Sequence, residues 1–383
     1  MFHRHLRAIF EMCAHKNPAR LSVAIGVFGL SVGATNAYAE ESSYYGLLRM
    51  RDLSPFGFLR LDMRPAHAVS IEKGSWAVEM DLGYQNTWAL SKGVEDYLTS
   101  IEPQGRHALG PTDLQAIRDL PGENYLVDSE VATLDVIVHY KLSDTWASYV
   151  ILSGVSYQGG FLDSTIESFH KTLGFSTFGR PAANKNDVNL IYDLKSAQLA
   201  SFGSPTDGGI LDPTLGIRYN GIDMPNRWSL SLEGAIKIPI GGMRPLISTG
   251  HLDYGLQASV QRRGDHHALY ANVAAVYYGG AAFPVPQESQ ILPTLIVGYE
   301  RRLTAKTNIN AQLYASTSTY SHAATDLDEL TSTKYQYSIG MRHRIANSVI
   351  TFAITENVQN INNTPDIGFQ LGFAYVPHPR SGR

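Results

Sequence analysis

Alternation with a period of two is the feature that most constrains this chain. Trp76, Val78, Met80, Leu82 and Tyr84 are apolar, and Ala77, Glu79, Asp81, Gly83 and Gln85 between them are small or polar. Successive side chains of a β-strand point to opposite faces, so such a segment presents one face to an apolar medium and the other to water. Trp228, Leu230, Leu232, Ile236 and Ile238 alternate in the same way with Ser229, Ser231, Glu233 and Lys237, as do Ile367, Phe369, Leu371, Phe373 and Tyr375 with Asp366, Gly368, Gln370, Gly372 and Ala374. Similar runs cover 131–140, 254–261, 309–316, 335–344 and 349–355, with less regular ones at 146–157, 211–220, 267–278 and 291–303.

A soluble sandwich also alternates, so the connections have to decide. They are short at 142–145, 263–266, 304–306 and 345–347, somewhat longer at 221–227, and long and polar or Gly/Pro-rich at 91–125, 158–210, 239–250, 279–290, 317–334 and 357–365. Short connections on one rim and long ones on the other are how outer-membrane barrels are built, whereas a sandwich has no cause to sort them. The expected fold is therefore all-β, a transmembrane antiparallel β-barrel of about twelve strands, with both ends on the periplasmic side and a short helix in a long extracellular loop. The run 188–200 breaks the parity and is placed as a hairpin arm inside the third connection; fourteen strands is the alternative. Trp76, Trp88, Trp146, Tyr157, Trp228, Tyr277, Tyr278, Tyr299 and Tyr375 fall at strand ends and are expected to form interfacial girdles.

The chain begins with an address. Arg4, Arg7, Lys16 and Arg20 precede an apolar run, 21–30, that ends in Ala37-Tyr38-Ala39, so residues 1–39 are expected to be a signal peptide cleaved before Glu40. Without them no cysteine remains, and 27 basic side chains face 34 acidic ones, a net charge of −7 that argues against a nucleic-acid partner. The expected organisation is a periplasmic or plug segment at 40–75, a barrel at 76–376 and a tail at 377–383. The expected location is the bacterial outer membrane, with lipid and lipopolysaccharide as partners and the barrel-assembly machinery acting during insertion; no oligomeric state is implied.

Several stretches resemble the uncharacterised proteobacterial family known as domain of unknown function 3187. They are Arg51-Asp52-Leu53-Ser54-Pro55 running on to Arg64-Pro65-Ala66-His67-Ala68, Gly159-Gly160-Phe161-Leu162-Asp163, Phe169-His170 with Gly179-Arg180, and Glu356-Asn357 with Asn363-Thr364-Pro365-Asp366-Ile367-Gly368-Phe369. The resemblance spans nearly the whole mature chain. It implies an outer-membrane location and supplies no activity.

Candidate pore residues come from three places. In the N-terminal stretch Leu59, Leu61 and Met63 alternate with Arg60, Asp62 and Arg64, and His67 follows. One reading is a plug whose charges pair with the lumen; the others are a periplasmic arm with solvated charges, or an additional strand. In the third connection Ser164 and Glu167 form a capping-box pattern, Leu162, Ile166, Phe169 and Leu173 recur at helical spacing, and Gly174 can end the helix. If that helix enters the barrel, Glu167, His170 and Arg180 narrow the pore; if it packs on the rim, His170 is merely hydrogen-bonded. The inward charges Glu79, Asp81, Asp135, His139, Glu233, Lys237, Glu300, Arg302, Arg342 and Arg344 are mixed in sign, as in a wet or salt-bridged lumen. No Gly-x-Ser-x-Gly, His-Glu-x-x-His or Cys/His metal spacing is present, so no catalytic residue and no cofactor is expected. A channel for small solutes is the first functional expectation, a lipid- or lipopolysaccharide-modifying enzyme the second, and a structural or adhesion barrel the third.

Overall fold

The computed structural model describes residues 44–64, 73–358 and 361–375. The expected signal peptide, His67 and the expected tail at 377–383 lie outside the described residues.

The strands are β1 (Trp76–Leu90), β2 (Asn124–Lys141), β3 (Trp146–Gln158), β4 (Asn189–Leu194), β5 (Ala197–Ser201), β6 (Gly208–Ile210), β7 (Thr214–Met224), β8 (Trp228–Lys237), β9 (Asp253–Arg263), β10 (His267–Tyr278), β11 (Gln290–Arg302), β12 (Thr307–Ser316), β13 (Lys334–Ile345), β14 (Ser348–Asn357) and β15 (Ile367–Tyr375). Antiparallel pairing runs β1-β2-β3 and then β7 through β15 in chain order. The last strand returns to the first, in register from Val78↔Tyr375 to Asn86↔Ile367. The barrel closes at twelve strands, not fourteen. The segment that broke the parity is a hairpin: β4 pairs with the upper end of β2, from Asn124↔Asp193 to Asp128↔Asn189, and β5 pairs with β4.

Closure leaves no free strand edge, and alternation then sorts the side chains. Outward residues such as Leu134, Leu152, Leu256, Val273, Leu295 and Phe352 are exposed, and inward ones such as Glu79, Asp135, Glu233, Glu300 and Arg342 are buried. The outer surface is thus an apolar belt around a polar interior. Five tight turns (142–145, 225–227, 264–266, 303–306 and 346–347) and both ends of the strand array lie on one rim, and six long connections lie on the other. The turn between β7 and β8 needs a left-handed residue, and Asn226, which tolerates it, takes φ 61° there. Trp76, Trp146 and Trp228 stand exposed at the short-turn rim.

β1 and β2 are longer than the rest and rise above the long-loop rim. Their lumen-facing surface carries Tyr125 and Val127. Their outer surface carries Trp88, Leu90 and Leu126, which pack with Val94 and Leu98 of helix α1 (Lys92–Ile101), Ile117 of helix α2 (Pro111–Arg118) and Ile191 of β4. Trp88 is therefore no girdle residue: its indole is buried, donating to the Phe178 carbonyl at 3.0 Å. Tyr157 and Tyr278 depart from the girdle as well, because both point inward and are buried.

The belt makes a test. Val273, in the middle of β10, is 58 % exposed. Val273→Arg is expected to cost about 2–4 kcal/mol of folding free energy in lipid vesicles, as charges do on a lipid face. Val273→Leu is expected to change little, and urea titration of the reconstituted protein reads both.

Candidate functional site: the barrel lumen

Residues 44–64 lie inside the barrel. They enter at the short-turn rim, where the Tyr44 hydroxyl donates to the Gly264 carbonyl at 2.8 Å. The first limb, 45–53, climbs along β11–β13 and β1 and is held mainly through its main chain. Glu300 accepts from the amides of Tyr45 at 3.0 Å and Gly46 at 3.1 Å. Arg342 donates to the carbonyls of Gly46 at 2.6 Å and Leu47 at 2.8 Å, and Asn310 donates to Gly46 at 2.9 Å. Gln312 accepts from the Leu48 amide at 2.7 Å and donates back to the Leu48 carbonyl at 3.2 Å. Gln85 repeats this with the Leu53 amide, 2.6 Å, and the Arg51 carbonyl, 3.0 Å. A buried backbone needs partners for every amide and carbonyl, and here long polar side chains of the wall supply many of them.

At the tip, Leu53, Phe56 and Phe58 join a roof formed by Tyr125, Val127 and Tyr157 of the wall and by Leu246, Ile247, Val285, Tyr320 and Leu330 of the long connections. Phe56 meets the rings of Tyr125 and Tyr320 edge-on at 6.0 and 6.1 Å. Lys334 latches this turn, with Nζ 2.9 Å from Asp52 and 2.6 Å from the Phe56 carbonyl.

The second limb, 59–64, descends on the opposite side and is held through its arginine side chains as well as its main chain. Arg64 meets Asp135 at 2.6 Å, and Arg51 approaches the same carboxylate at 3.5 Å while the Ser153 hydroxyl donates to it. Arg60 donates to the Tyr314 and Ser316 hydroxyls. Lys237 meets Asp253 at 2.8 Å and donates to the Leu59 carbonyl at 2.7 Å, and Asp253 accepts from the Leu61 amide at 2.7 Å. Asp62 is half-buried and lines a small polar cavity bounded by Arg51, Arg60, Arg64, Ser153, Asp212 and Lys237.

Lower in the lumen Glu79 meets Arg49 at 3.1 Å and His139 at 2.9 Å, and Glu233 meets Arg218 at 2.6 Å and the Tyr149 hydroxyl at 2.7 Å. Asp81 lines a second, water-sized space with Arg49, Arg342, Thr351 and Gln370. Arg60, Asp62, Arg64, Glu79, Asp81, Asp135, His139, Glu233 and Lys237 are thus gathered in one interior.

Glu167, His170 and Arg180 are not. Helix α3 (Asp163–Leu173) packs on the outer face of the raised wall rather than in the pore. The reason lies in β2: Glu130 stands at an outward position, accepts from the Tyr84 hydroxyl and from the amides of Phe161 at 3.0 Å and Leu162 at 2.8 Å, and so fixes the start of the helix outside. Leu162, with no side-chain cap, takes the N-cap position in place of the expected Ser164, while Gly174 ends the helix at φ 72° as expected. Arg180 lies 4.9 Å from the Trp88 ring and pairs with Asp163 and Asp366, each at 2.6 Å. Glu167 pairs with Arg106 at 2.6 Å and Lys185 at 3.2 Å, and His170 Nδ1 faces the Ser176 carbonyl at 2.7 Å. Burial lowers the His170 pKa, which keeps its imidazole neutral at pH 7.

The pairing of lumen and segment also recruits Asp52, Asp253, Lys334, Gln85 and Gln312. Asp253 and Lys334 open their strands, so alternation does not single them out, and the two glutamines carry no charge that marks them. Their inward parity is the signal that could have found them.

A family model described as protein of unknown function, DUF3187, matches residues 120–376. The chain belongs to the DUF3187 family. The matched span begins inside the first long connection, between β1 and β2, and leaves out the 51–68 stretch of the resemblance. No curated protein matches this DUF3187 chain. Among solved structures it is similar to the COG4313 outer membrane channel from Pseudomonas putida F1, at 11 % identity and TM-score 0.50, over 82 % of this chain and 100 % of that one. That likeness shows a shared barrel fold. The CymD monoaromatic hydrocarbon channel, 10 % identical over 80 % of this chain and 90 % of its own, has a TM-score of 0.36, and the P. putida toluene transporter TodX, 9 % identical over 81 % and 94 %, also has 0.36.

The shared carboxylate at Asp135 can be tested. Removing one partner of a buried ion pair typically costs about 3–5 kcal/mol, because the remaining charge is left desolvated. Asp135→Asn leaves two guanidiniums facing one neutral amide and is expected to lower the midpoint of thermal unfolding markedly. Restoring Asp135 in an Arg64→Met background is expected to recover less than the native pair gives, and an unchanged midpoint in Asp135→Asn would refute the pairing.

Proposed function

We propose that this DUF3187 protein is a channel for small solutes in the bacterial outer membrane, exported behind a signal peptide at 1–39, in which the N-terminal segment occupies the passage. The observation that carries the reading is a polar lumen inside a twelve-strand barrel with an apolar outer belt, filled by a segment that enters from the short-turn rim instead of by side chains of the wall. Barrels of this size lie between the eight-strand kind packed solid and open porins of sixteen or more, so one strap of backbone is enough to close the path. The name of the P. putida channel agrees with this reading. The apolar belt suits lipid, and long loops face outward in barrels of this architecture, which brings the roof to the lipopolysaccharide side.

Export is checked by fractionation: the unboiled protein should appear in outer-membrane fractions and run faster on a denaturing gel than the boiled one. Conductance is checked in planar bilayers. The native protein is expected to pass little steady current, and a chain lacking 44–64 several-fold more. Arg64→Ala, which loosens the second limb and leaves the roof contacts of Phe56 and Phe58, is expected to flicker between the two levels. Variants that show the gel shift, and so are folded, but pass no current would overturn the channel reading.

A further inference from the structure

The two limbs of the lumenal segment are held by different chemistry. The second limb is read through arginine side chains that meet Asp135, Tyr314 and Ser316, together with its main chain at Leu59, Leu61 and Arg64. Along 45–48 of the first limb the wall addresses amides and carbonyls, and side-chain pairs begin only at Arg49–Glu79, Arg51–Asp135 and Asp52–Lys334.

The polar groups of the wall are spaced like those of a strand, although the segment itself turns at Gly46, φ 83°. Asn310 and Gln312 project from the same face of β12 and are two residues apart, which is about 7 Å along a strand. They meet Gly46 and Leu48, also two residues apart and running in the same direction. Gln312 offers both an acceptor and a donor to one residue, as a neighbouring strand would, and Glu300 takes two consecutive amides. Two places in this strip recognise side chains, and they do so by shape. A Cβ at Gly298 would fall 2.2 Å from the Leu47 Cδ2 atom, and one at Gly340 would fall 2.8 Å from the Leu48 Cδ2 atom. The two glycines are notches that receive consecutive apolar side chains.

We propose that the strip formed by Glu300, Asn310, Gln312 and Arg342 is a peptide-binding site, specific for a glycine followed by two consecutive apolar residues, and that Tyr45–Leu48 occupies it as a tethered ligand. It deepens the channel reading, on which it rests, by naming short peptides as the solute class. When the tether leaves, the amide-reading side chains and the notches over Gly298 and Gly340 face the passage. Main-chain recognition supplies affinity for many sequences, and the notches supply the selection, as in peptide recognition by strand addition.

The test is direct binding, which needs no current. Protein lacking 44–50, which keeps the Leu53–Phe58 tip in the roof, is mixed in detergent with a fluorescent peptide of sequence 44–50 and followed by polarisation. Binding is expected, and a peptide that changes the other residues but retains Gly46-Leu47-Leu48 is expected to bind within about tenfold. N-methylation at the amides of 45, 46 and 48, or aspartate in place of both leucines, is expected to weaken binding by about tenfold or more, since a buried acceptor then lacks its donor. Should the deletion fail to fold, Gly46→Pro in the full chain serves instead: Gly46 sits at φ 83°, which proline cannot adopt, so the tether is evicted. Folded variants that bind no peptide, or that bind N-methylated and native peptides alike, overturn the site. A protein that conducts without binding peptide sinks this proposal alone; one that binds without conducting sinks the channel reading and leaves the site.

Discussion

Every backbone amide and carbonyl that faces an apolar medium must find its partner within the protein, and the seam from Val78↔Tyr375 to Asn86↔Ile367 is where this chain meets that requirement. Closing the ladder removes the last free edge and creates an interior. Alternation then obliges half of every strand to face that interior, and the residues placed there are largely polar and charged. Those charges sit in a space with little water, so each needs a counter-charge or a donor close by. Much of what neutralises them comes from one strand-free segment, whose Arg49, Arg51 and Arg64 meet the acids of β1 and β2. Wall and segment therefore depend on each other: the segment has no other place to put three guanidiniums, and Glu79 and Asp135 have few other partners.

The raised β1–β2 wall carries a second division. Its two faces are apolar for different reasons. The inner face, with Tyr125 and Val127, closes the roof over Phe56 and Phe58. The outer face stands above the belt, and α1, α2 and the 180–183 turn cover it. Glu130 settles which side the third connection takes, because its carboxylate faces outward and gathers the amides at the start of α3. The third connection is thereby split: its helix goes outside, while Leu190 and Tyr192 of its hairpin join the roof.

Much of the barrel was legible in the sequence because an apolar belt and a polar lumen impose strict alternation on each strand, and because hairpin ends on one rim are short. The misfit run at 188–200 was legible as a hairpin arm for the same reason: it breaks a parity that the rest obeys. The side taken by α3 was not. A stripe such as Leu162, Ile166 and Phe169 says that one face of a helix prefers cover, but not which surface supplies it, and that surface was set by Glu130, thirty residues away. Trp88 misled by its type, since an aromatic at a strand end suits a girdle equally well as a core above the membrane. The first limb was illegible for another reason. It is held by its own main chain, which carries no sequence signature, so the wall residues Glu300, Arg342, Asn310, Gln312 and Gln85 have no complementary side chain to announce them.

If the barrel is a channel, as proposed, the two limbs also set how its passage would open. The tip buries Leu53, Phe56 and Phe58 almost completely, and burial of one such side chain stabilises by about 1.5–3 kcal/mol. Withdrawing the segment toward the short-turn rim exposes all three before any ion pair lower down is replaced by water, so the filled state dominates the resting population. A solute shifts that balance only by binding the vacated wall better than the filled one. The wall exposed first on withdrawal is the upper strip of Gln85 and Lys334 under the roof, whereas the amide-reading residues Glu300 and Arg342 stay covered until the first limb itself moves. Opening from the roof and opening from the short-turn rim are consequently different events, and only the second uncovers the strip that holds Tyr45–Leu48.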